Sequence, residues 1–248
     1  MKKILSFFLV AAMILSLVAC NTTGESAVSS SSPSSNSSLE GEQNAEGSNL
    51  PEEPSSETST EGSVSDGGES SHVLVAYFSW ADNAILADDV DAVASPSVIP
   101  PGNVQQLAGW VQEETGGDLF SIRVTDPYPS DWDDCLARAN QERGDDARPE
   151  LVENVENLDQ YDTVFLGYPN WWYGVPMALL TFLEQNDLSG KQVYLFCSHG
   201  TGGLSNSVNI ITEAAPDSSI SDNIFDCYEE DASSSQNDIQ SWVTGLGY

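Results

Sequence analysis

The sequence predicts an α/β fold, a doubly wound parallel sheet with helices on both faces. Two observations support this prediction: apolar segments of strand length alternate with helical patterns from residue 72 onward, and turn residues separate them. Strands joined through helices run parallel with right-handed connections, and ligands then bind at the carboxyl ends of the strands. We therefore expect the functional loops at that edge of the sheet.

The individual elements follow from local patterns. Strands are short runs of β-branched and aromatic residues, whereas helices show one apolar face, as Val104, Leu107 and Val111 do. Ser130 is the expected N-cap of the second helix, and Pro176 is expected at the first helical position of the third. In chain order the predicted elements are strand 72–79, helix 102–115, strand 119–124, helix 130–144, strand 163–168, helix 176–186, strand 192–197, helix 203–214, strand 220–226 and helix 235–246.

The N-terminal part predicts a targeting signal and a tether. Lys2 and Lys3 precede an apolar run that is shorter than the roughly 20 residues of a membrane-spanning helix, so residues 1–19 are expected to be a signal peptide. Leu17 to Cys20 resembles a bacterial lipobox, which makes Cys20 the expected lipidated N-terminus. An ordinary secreted protein with an incidental cysteine is the alternative. Residues 20–71, rich in Ser, Glu and Gly, are expected to be a disordered tether.

These features predict a lipoprotein anchored to the extracytoplasmic face of a bacterial cell membrane. The formal net charge is −32, and no Lys or Arg occurs between Lys3 and Arg123. This charge argues against nucleic-acid binding and against polybasic membrane attachment, so membrane contact is expected through the lipid alone. Solubility and attraction to a cationic redox partner are both open explanations of the acidity. We expect a monomer.

The cysteines and histidines do not form a metal-binding pattern. Cys135, Cys197 and Cys227 are expected to be buried thiols, although one disulfide could form outside the cytoplasm. His72 and His199 are too few and too distant in sequence to predict a metal site.

Three loops follow apolar strands at the predicted ligand edge. The first begins with residues 77–80 (Tyr-Phe-Ser-Trp), the second is the aromatic loop at 169–174, and the third spans 197–203. Aromatic residues in a surface loop predict that something flat covers them, although one Trp could instead pack into the core. The glycines of the third loop allow close backbone approach, and a plain strand-to-helix turn is its alternative explanation.

Three stretches resemble a known family: residues 75–79 (Val-Ala-Tyr-Phe-Ser), 165–172 (Phe-Leu-Gly-Tyr-Pro-Asn-Trp-Trp) and 196–202 (Phe-Cys-Ser-His-Gly-Thr-Gly). They resemble the corresponding stretches of the flavodoxin-like family, especially its bacterial lipoprotein-type members, over residues 72–248. The resemblance implies a flavodoxin-like five-stranded parallel sheet of order 2-1-3-4-5 and FMN as cofactor. It also implies that the first loop holds the phosphate and the other two hold the isoalloxazine.

The resemblance identifies candidate FMN-binding residues. Trp171, Trp172 or Tyr173 is expected to stack on the ring, whereas His199 is expected either to approach the ring edge or only to orient its loop. The full set is Ser79, Trp80, Gly102, Asn103, Val104, Pro169, Asn170, Trp171, Trp172, Tyr173, Gly174, Ser198, His199, Gly200, Thr201, Gly202 and Gly203.

The phosphate loop departs from the family pattern Ser/Thr-x-Thr-Gly-Asn-Thr. Residues 79–83 read Ser-Trp-Ala-Asp-Asn, and a partial match without the two hydroxyls follows at 101–104. We infer an insertion, residues 80–100, that splits the loop. Ser79 and the N–H groups of residues 102–104 are expected to reassemble it. The lost hydroxyls predict weaker FMN binding, and nearby acidic residues would oppose the phosphate within about 8–10 Å: Asp82, Asp88, Asp89 and Asp91.

The sequence therefore predicts an FMN-binding, membrane-tethered, extracytoplasmic electron-transfer flavoprotein that serves a redox partner protein or a small acceptor. No residue is a convincing general acid or nucleophile, and Glu184 and Glu213 are expected to face solvent. Acidic surroundings close to the ring would lower the flavin potential. Two alternatives stay open: a flavin-dependent NAD(P)H or quinone reductase, and a non-redox binding module with a degenerated FMN site.

Overall fold

The computed structural model describes residues 72–87 and 96–248. The predicted signal peptide, the tether with Cys20, and Asp88, Asp89 and Asp91 lie outside the described residues. None of the described helices is long and apolar enough to cross a membrane.

Strands and helices alternate along the described residues, which confirms the predicted α/β class. The strands are β1 (Val73–Tyr77), β2 (Ala84–Ile85), β3 (Asp118–Ser121), β4 (Tyr128–Pro129), β5 (Thr163–Pro169), β6 (Gln192–His199), β7 (Ser219–Ile220) and β8 (Phe225–Tyr228). The helices are α1 (Asn103–Thr115), α2 (Trp132–Gly144), α3 (Met177–Gln185), α4 (Ser207–Ala214) and α5 (Gln236–Gly245).

The main sheet is parallel and has the order β3-β1-β5-β6, with β7 and β8 both paired to β6. Because β7 and β8 together occupy the place of the predicted fifth strand, the predicted order 2-1-3-4-5 is confirmed. The fifth strand is interrupted, however, where the N–H of Asn223 donates to Ser221 Oγ at 3.1 Å. Short polar residues that bond to their own backbone in this way favour a turn over a continuous strand.

The sheet is buried on both faces, and β1 shows how its sequence achieves this. Val73, Val75 and Tyr77 pack into a core with α1 and α5, whereas Leu74 and Ala76 pack into a second core with residues of α3. This alternation follows from the two-residue period of a strand. Both cores leave the carboxyl ends of β1, β5 and β6 together at one edge of the sheet.

The start of α2 differs from the prediction. Asp131, not Ser130, is the N-cap, because its side chain accepts the N–H of Asp134 at 2.9 Å. Ser130 Oγ instead accepts the N–H of Ala87 at 3.1 Å and so connects the segment before α2 to the insertion.

Two further helices begin later than predicted. Pro176 is the N-cap residue of α3 with ψ 137°, an extended conformation, so its ring precedes the first helical turn. The predicted helix 203–214 begins only at Ser207, because Gly203 and Ser205 have φ angles of 58° and 44°. Such left-handed residues form turns and cannot continue a right-handed helix.

Candidate functional site

A cleft of about 220 Å³ opens at the carboxyl ends of β1, β5 and β6, the edge where the sequence predicts ligand binding. The three predicted loops meet there. The predicted binding residues that line the cleft are Ser79, Trp80, Asn103, Val104, Pro169, Asn170, Trp171, Trp172, Tyr173, Ser198, His199, Gly200, Thr201 and Gly202.

Ser79 and the first residues of α1 form one end of the cleft, which we call the α1 end (Ser79, Gly102, Asn103 and Val104). A Cβ atom added at Gly102 would lie 2.6 Å from Ser79 Oγ and 2.7 Å from the main-chain oxygen of Ser97. Ser79 Oγ is buried and has no hydrogen-bond partner among the described residues. A buried hydroxyl without a partner, next to a helix N-terminus, suits an anionic ligand.

The N–H groups at the α1 end are only partly available. The N–H of Gly102 donates to Gln105 Oε1 at 3.3 Å and is therefore already paired, contrary to the prediction that it faces an anion. The N–H groups of Asn103 and Val104 lie in the first turn of α1, where a helix offers no internal acceptor. These two groups are the donors that the helix presents.

The described part of the insertion is folded beside the α1 end. Asn83 is buried, and its Nδ2 donates to the main-chain oxygens of Ser79 at 2.8 Å and Ile122 at 2.9 Å. Asp82 accepts a hydrogen bond of 2.6 Å from Ser121 Oγ and is not among the cleft-lining residues. The Asp82 carboxylate is thus bonded at the end of β3 and does not face into the cleft, and its opposition to a phosphate stays a prediction.

The two tryptophans of the aromatic loop both line the cleft, but Trp171 also packs against the core. Trp171 packs edge-on against Phe78 and Tyr128, with ring centroids 5.5 and 5.3 Å away, so one Trp anchors the core as predicted. Trp172 and Tyr173 have φ angles of 54° and 60°, which bulky residues rarely adopt. Strain of this kind clusters at functional sites. Tyr173 is 62% exposed, so it and Trp172 are the candidate stacking surfaces.

Hydrogen bonds hold the strained turn and join it to the third loop. Arg143 Nη1 donates to the main-chain oxygen of Trp172 at 2.9 Å. The main-chain N–H of Asn170 donates to the oxygen of Ser198 at 3.0 Å, and its Nδ2 donates to the oxygen of Gly203 at 2.5 Å. The second and third loops therefore form one bonded unit. We call residues 169–173 and 198–202 the aromatic end of the cleft.

Three predicted residues do not line the cleft: Gly102, Gly174 and Gly203. Gly102 lies close against Ser79 at the α1 end, where a Cβ atom would not fit. The main-chain oxygen of Gly203 accepts the hydrogen bond from Asn170 Nδ2. The N–H of Gly174 closes the aromatic turn by donating to the oxygen of Trp171 at 2.9 Å. These contacts give the three glycines a role in loop conformation, and their contact with a ligand stays a prediction.

His199 stands at the edge of the aromatic end. Its Nδ1 lies 2.9 Å from the main-chain oxygen of Gly200, and its Nε2 lies 2.8 Å from Asp226 Oδ2. The His199 side chain is 12% exposed.

One face of α2 forms a wall that the sequence analysis missed. Trp132, Cys135, Leu136 and Ala139 all line the cleft, and the Trp132 ring lies 6.0 Å from that of Trp80. Their spacing of three, four and seven residues is the signal that could have identified this apolar face on an otherwise polar helix.

Glu229 also lines the cleft and was missed, together with Ser97. Burial raises the pKa of Glu229, with a further increase from Glu230, while His199 lowers it. Its Oε1 lies 3.4 Å from the position of a Cβ added at Gly200, and its main-chain oxygen accepts from Asn103 Nδ2 at 2.8 Å. Nothing in the sequence distinguishes this residue from the other acidic ones.

The three cysteines of the described residues are free thiols. Burial raises the pKa of Cys135 to about 12, although Arg138 opposes this shift, so the thiol in the cleft wall is neutral near pH 7. Cys197 is buried as predicted, whereas Cys227 is only half-buried.

The family model for flavodoxin matches residues 72–246. A candidate flavoprotein from Bacteroides eggerthii is 27% identical with a TM-score of 0.54, and the match covers 71% of this chain and 98% of that one. A candidate flavoprotein from Bacteroides uniformis is 25% identical with a TM-score of 0.54, covering 70% and 97% of the two chains. No curated protein matches the chain.

Proposed function

Because this chain belongs to the flavodoxin family, we propose that its cleft binds FMN and that the protein transfers electrons to a redox partner protein or a small acceptor. Family membership confirms the predicted resemblance and supports FMN as the cofactor. The observation that carries the proposal is that three loops distant in sequence line a single cleft at the carboxyl ends of the strands.

The two ends of the cleft suit the two ends of FMN. Ser79 Oγ and the N–H groups of Asn103 and Val104 would hold the phosphate, because hydroxyl and helix N-terminal donors stabilise an anion. Trp172 and Tyr173 would stack on the ring. Bound FMN supplies the electron-transfer chemistry, and the protein contributes binding, orientation and electrostatics.

The N-terminal sequence supports a location for this activity. Cys20, which follows Leu17 to Ala19, would carry a lipid, and the acidic tether would hold the domain on the extracytoplasmic side of the membrane. We expect Cys20→Ala to move the protein from the membrane fraction to the soluble fraction. Continued sedimentation with membranes would contradict the lipid anchor.

Two alternatives remain. A flavin-dependent NAD(P)H or quinone reductase would use the same flavin site, so turnover of NAD(P)H or quinone by the FMN-loaded protein distinguishes it from an electron carrier. In a binding module that has lost its anion site, the buried Ser79 hydroxyl would stay without a hydrogen-bond partner. An unsatisfied buried hydroxyl destabilises the folded protein, so its presence favours a site that still binds an anion.

Titration of the purified chain with FMN, followed by flavin fluorescence, tests the proposal. We expect quenching at micromolar protein and weaker binding of riboflavin, which lacks the phosphate. Ser79→Ala should weaken FMN binding by about tenfold, the loss of one charge-assisted bond, and leave riboflavin unchanged. Absence of quenching at high micromolar protein would overturn the FMN proposal.

A further inference from the structure

Both ring nitrogens of His199 lie within hydrogen-bond distance of an oxygen atom. Nδ1 faces the main-chain oxygen of Gly200 at 2.9 Å, and Nε2 faces Asp226 Oδ2 at 2.8 Å. A main-chain carbonyl oxygen can only accept a hydrogen bond, and so can an ionised carboxylate. A neutral imidazole has one N–H, so it can satisfy only one of these contacts. Both contacts are satisfied together when both ring nitrogens carry a proton.

Proton sharing with Asp226 is the competing arrangement, in which the carboxyl would donate to Nε2. An aspartate ordinarily carries no proton at neutral pH, and the Asp226 side chain is 43% exposed to water, which favours its charged form. The second proton of the pair therefore belongs on the ring. His199 is then a cation in the lining of the cleft. The described residues that line the cleft include no Lys or Arg.

Other ionisable groups surround this cation. Tyr228, on β8, places its ring edge-on to the imidazole with centroids 6.3 Å apart, and Asp226 comes from the same strand. The N–H of Glu229 donates to the main-chain oxygen of His199 at 2.8 Å, and the charge of His199 lowers the pKa of the Glu229 carboxyl. The His199 ring thus contacts the Asp226 carboxylate, its charge acts on the Glu229 carboxyl, and both His199 and Glu229 line the cleft.

We propose that the Asp226–His199–Gly200 arrangement holds a fixed imidazolium at the aromatic end, and that its positive charge offsets the negative charge that flavin gains on reduction. This inference rests on the proposed function. Flavin that takes up two electrons and one proton carries one additional negative charge, and a cation in a partly buried cleft stabilises that charge. The charge of His199 would thereby oppose the lowering of the flavin potential that acidic groups close to the ring would cause. It is a positioning and electrostatic residue, and it transfers no proton in this proposal.

The charge of His199 can be measured in the protein without flavin. The chain has only two histidines, so ¹⁵N NMR of the imidazole nitrogens gives two sets of signals, which His72→Gln assigns. His72 is a suitable control, because it is exposed and its Nδ1 lies 2.7 Å from the main-chain oxygen of Gln160, outside the cleft. At pH 7 we expect both nitrogens of His199 to be protonated. Asp226→Asn, which keeps an oxygen but removes the charge, should leave only one protonated. A neutral ring in the unsubstituted protein would overturn the proposal.

A redox titration of the FMN-loaded protein measures the effect of the charge. We expect His199→Gln to reduce the preference for reduced over oxidised FMN by at least about tenfold, or about 1.4 kcal/mol, while His72→Gln leaves it unchanged. An unchanged preference at pH 7 would overturn the proposal. If the unsubstituted chain binds no FMN, the proposed function fails instead, and the NMR result still decides the charge of His199.

Discussion

The two ends of the cleft use different parts of the chain to recognise a ligand. The α1 end presents main-chain N–H groups and the single hydroxyl of Ser79, brought together from both sides of an insertion. The aromatic end presents side chains, Trp172 and Tyr173, on a strained turn that is bonded to the third loop through Asn170. Ligand binding at the α1 end therefore depends on how closely Ser79 approaches the start of α1. Ligand binding at the aromatic end depends instead on which aromatic rings face the cleft.

The largest expected effect separates the two tryptophans of the aromatic end. Trp171→Ala removes a ring that packs against Phe78, Tyr128 and Trp80, and should lower the free energy of unfolding by about 3 kcal/mol. Trp172→Ala should change stability by less than about 1 kcal/mol but weaken FMN binding up to about tenfold, because the stacking contact is lost.

Urea unfolding of the flavin-free protein and FMN titration measure these two effects. Trp172→Phe is the matched control, since it keeps a ring at the same position and should retain most of the affinity. Equal losses of stability in the two alanine variants would contradict the division of roles within the aromatic loop.

The next effect tests the close approach at the α1 end. Gly102 has φ −64°, so alanine adopts its backbone without strain, but the new Cβ would meet Ser79 Oγ and the Ser97 oxygen. Gly102→Ala should therefore separate Ser79 from α1 and weaken FMN binding by at least about tenfold, with little effect on riboflavin.

Gly109→Ala provides the control for this variant. Gly109 lies within α1, and a Cβ there would have nothing within 4 Å, so the substitution should stabilise the helix by about 0.5–1 kcal/mol and preserve FMN binding. Comparable loss of riboflavin affinity in Gly102→Ala would show that the two ends of the cleft are not independent.

The smallest effect concerns Glu229, whose main-chain oxygen bonds to the α1 end while its carboxyl lies beside Gly200 at the aromatic end. Burial raises the pKa of this carboxyl in the folded protein, so folding disfavours its charged form at neutral pH. Glu229→Gln should therefore increase stability at pH 7, by up to about 0.5 kcal/mol, and lose this advantage as the pH falls through the range in which the carboxyl becomes protonated. Thermal unfolding of both proteins between pH 4 and pH 8 measures the difference in stability. If Glu229→Gln were more stabilising in acid than at pH 7, burial would not be what disfavours the charged carboxyl.

Much of the fold and part of the site were predictable from residue patterns. The position of the three loops followed from apolar runs such as 163–168, whereas the strand order followed only from the resemblance to a family. The N-cap of α2 was wrong by one residue, because Ser130 and Asp131 are both good caps and only Ala87, contributed by the insertion, occupies the Ser130 hydroxyl. The cleft-lining face of α2 was missed, although the helical spacing of its apolar residues is visible in the sequence. A short apolar face on a polar helix does not indicate which part of the fold it contacts.

Residue patterns were sufficient to predict the α/β class, the parallel sheet and the aromatic and glycine-rich loops, because these depend on neighbouring residues whose periodicity is visible in the chain. Three features became known only from the folded structure: Trp171 packs against the core, Asp82 bonds to Ser121 at the end of β3, and His199 contacts Asp226. Each of these outcomes depends on partners from distant parts of the chain. Burial and charge become defined for a side chain only when such partners are packed around it.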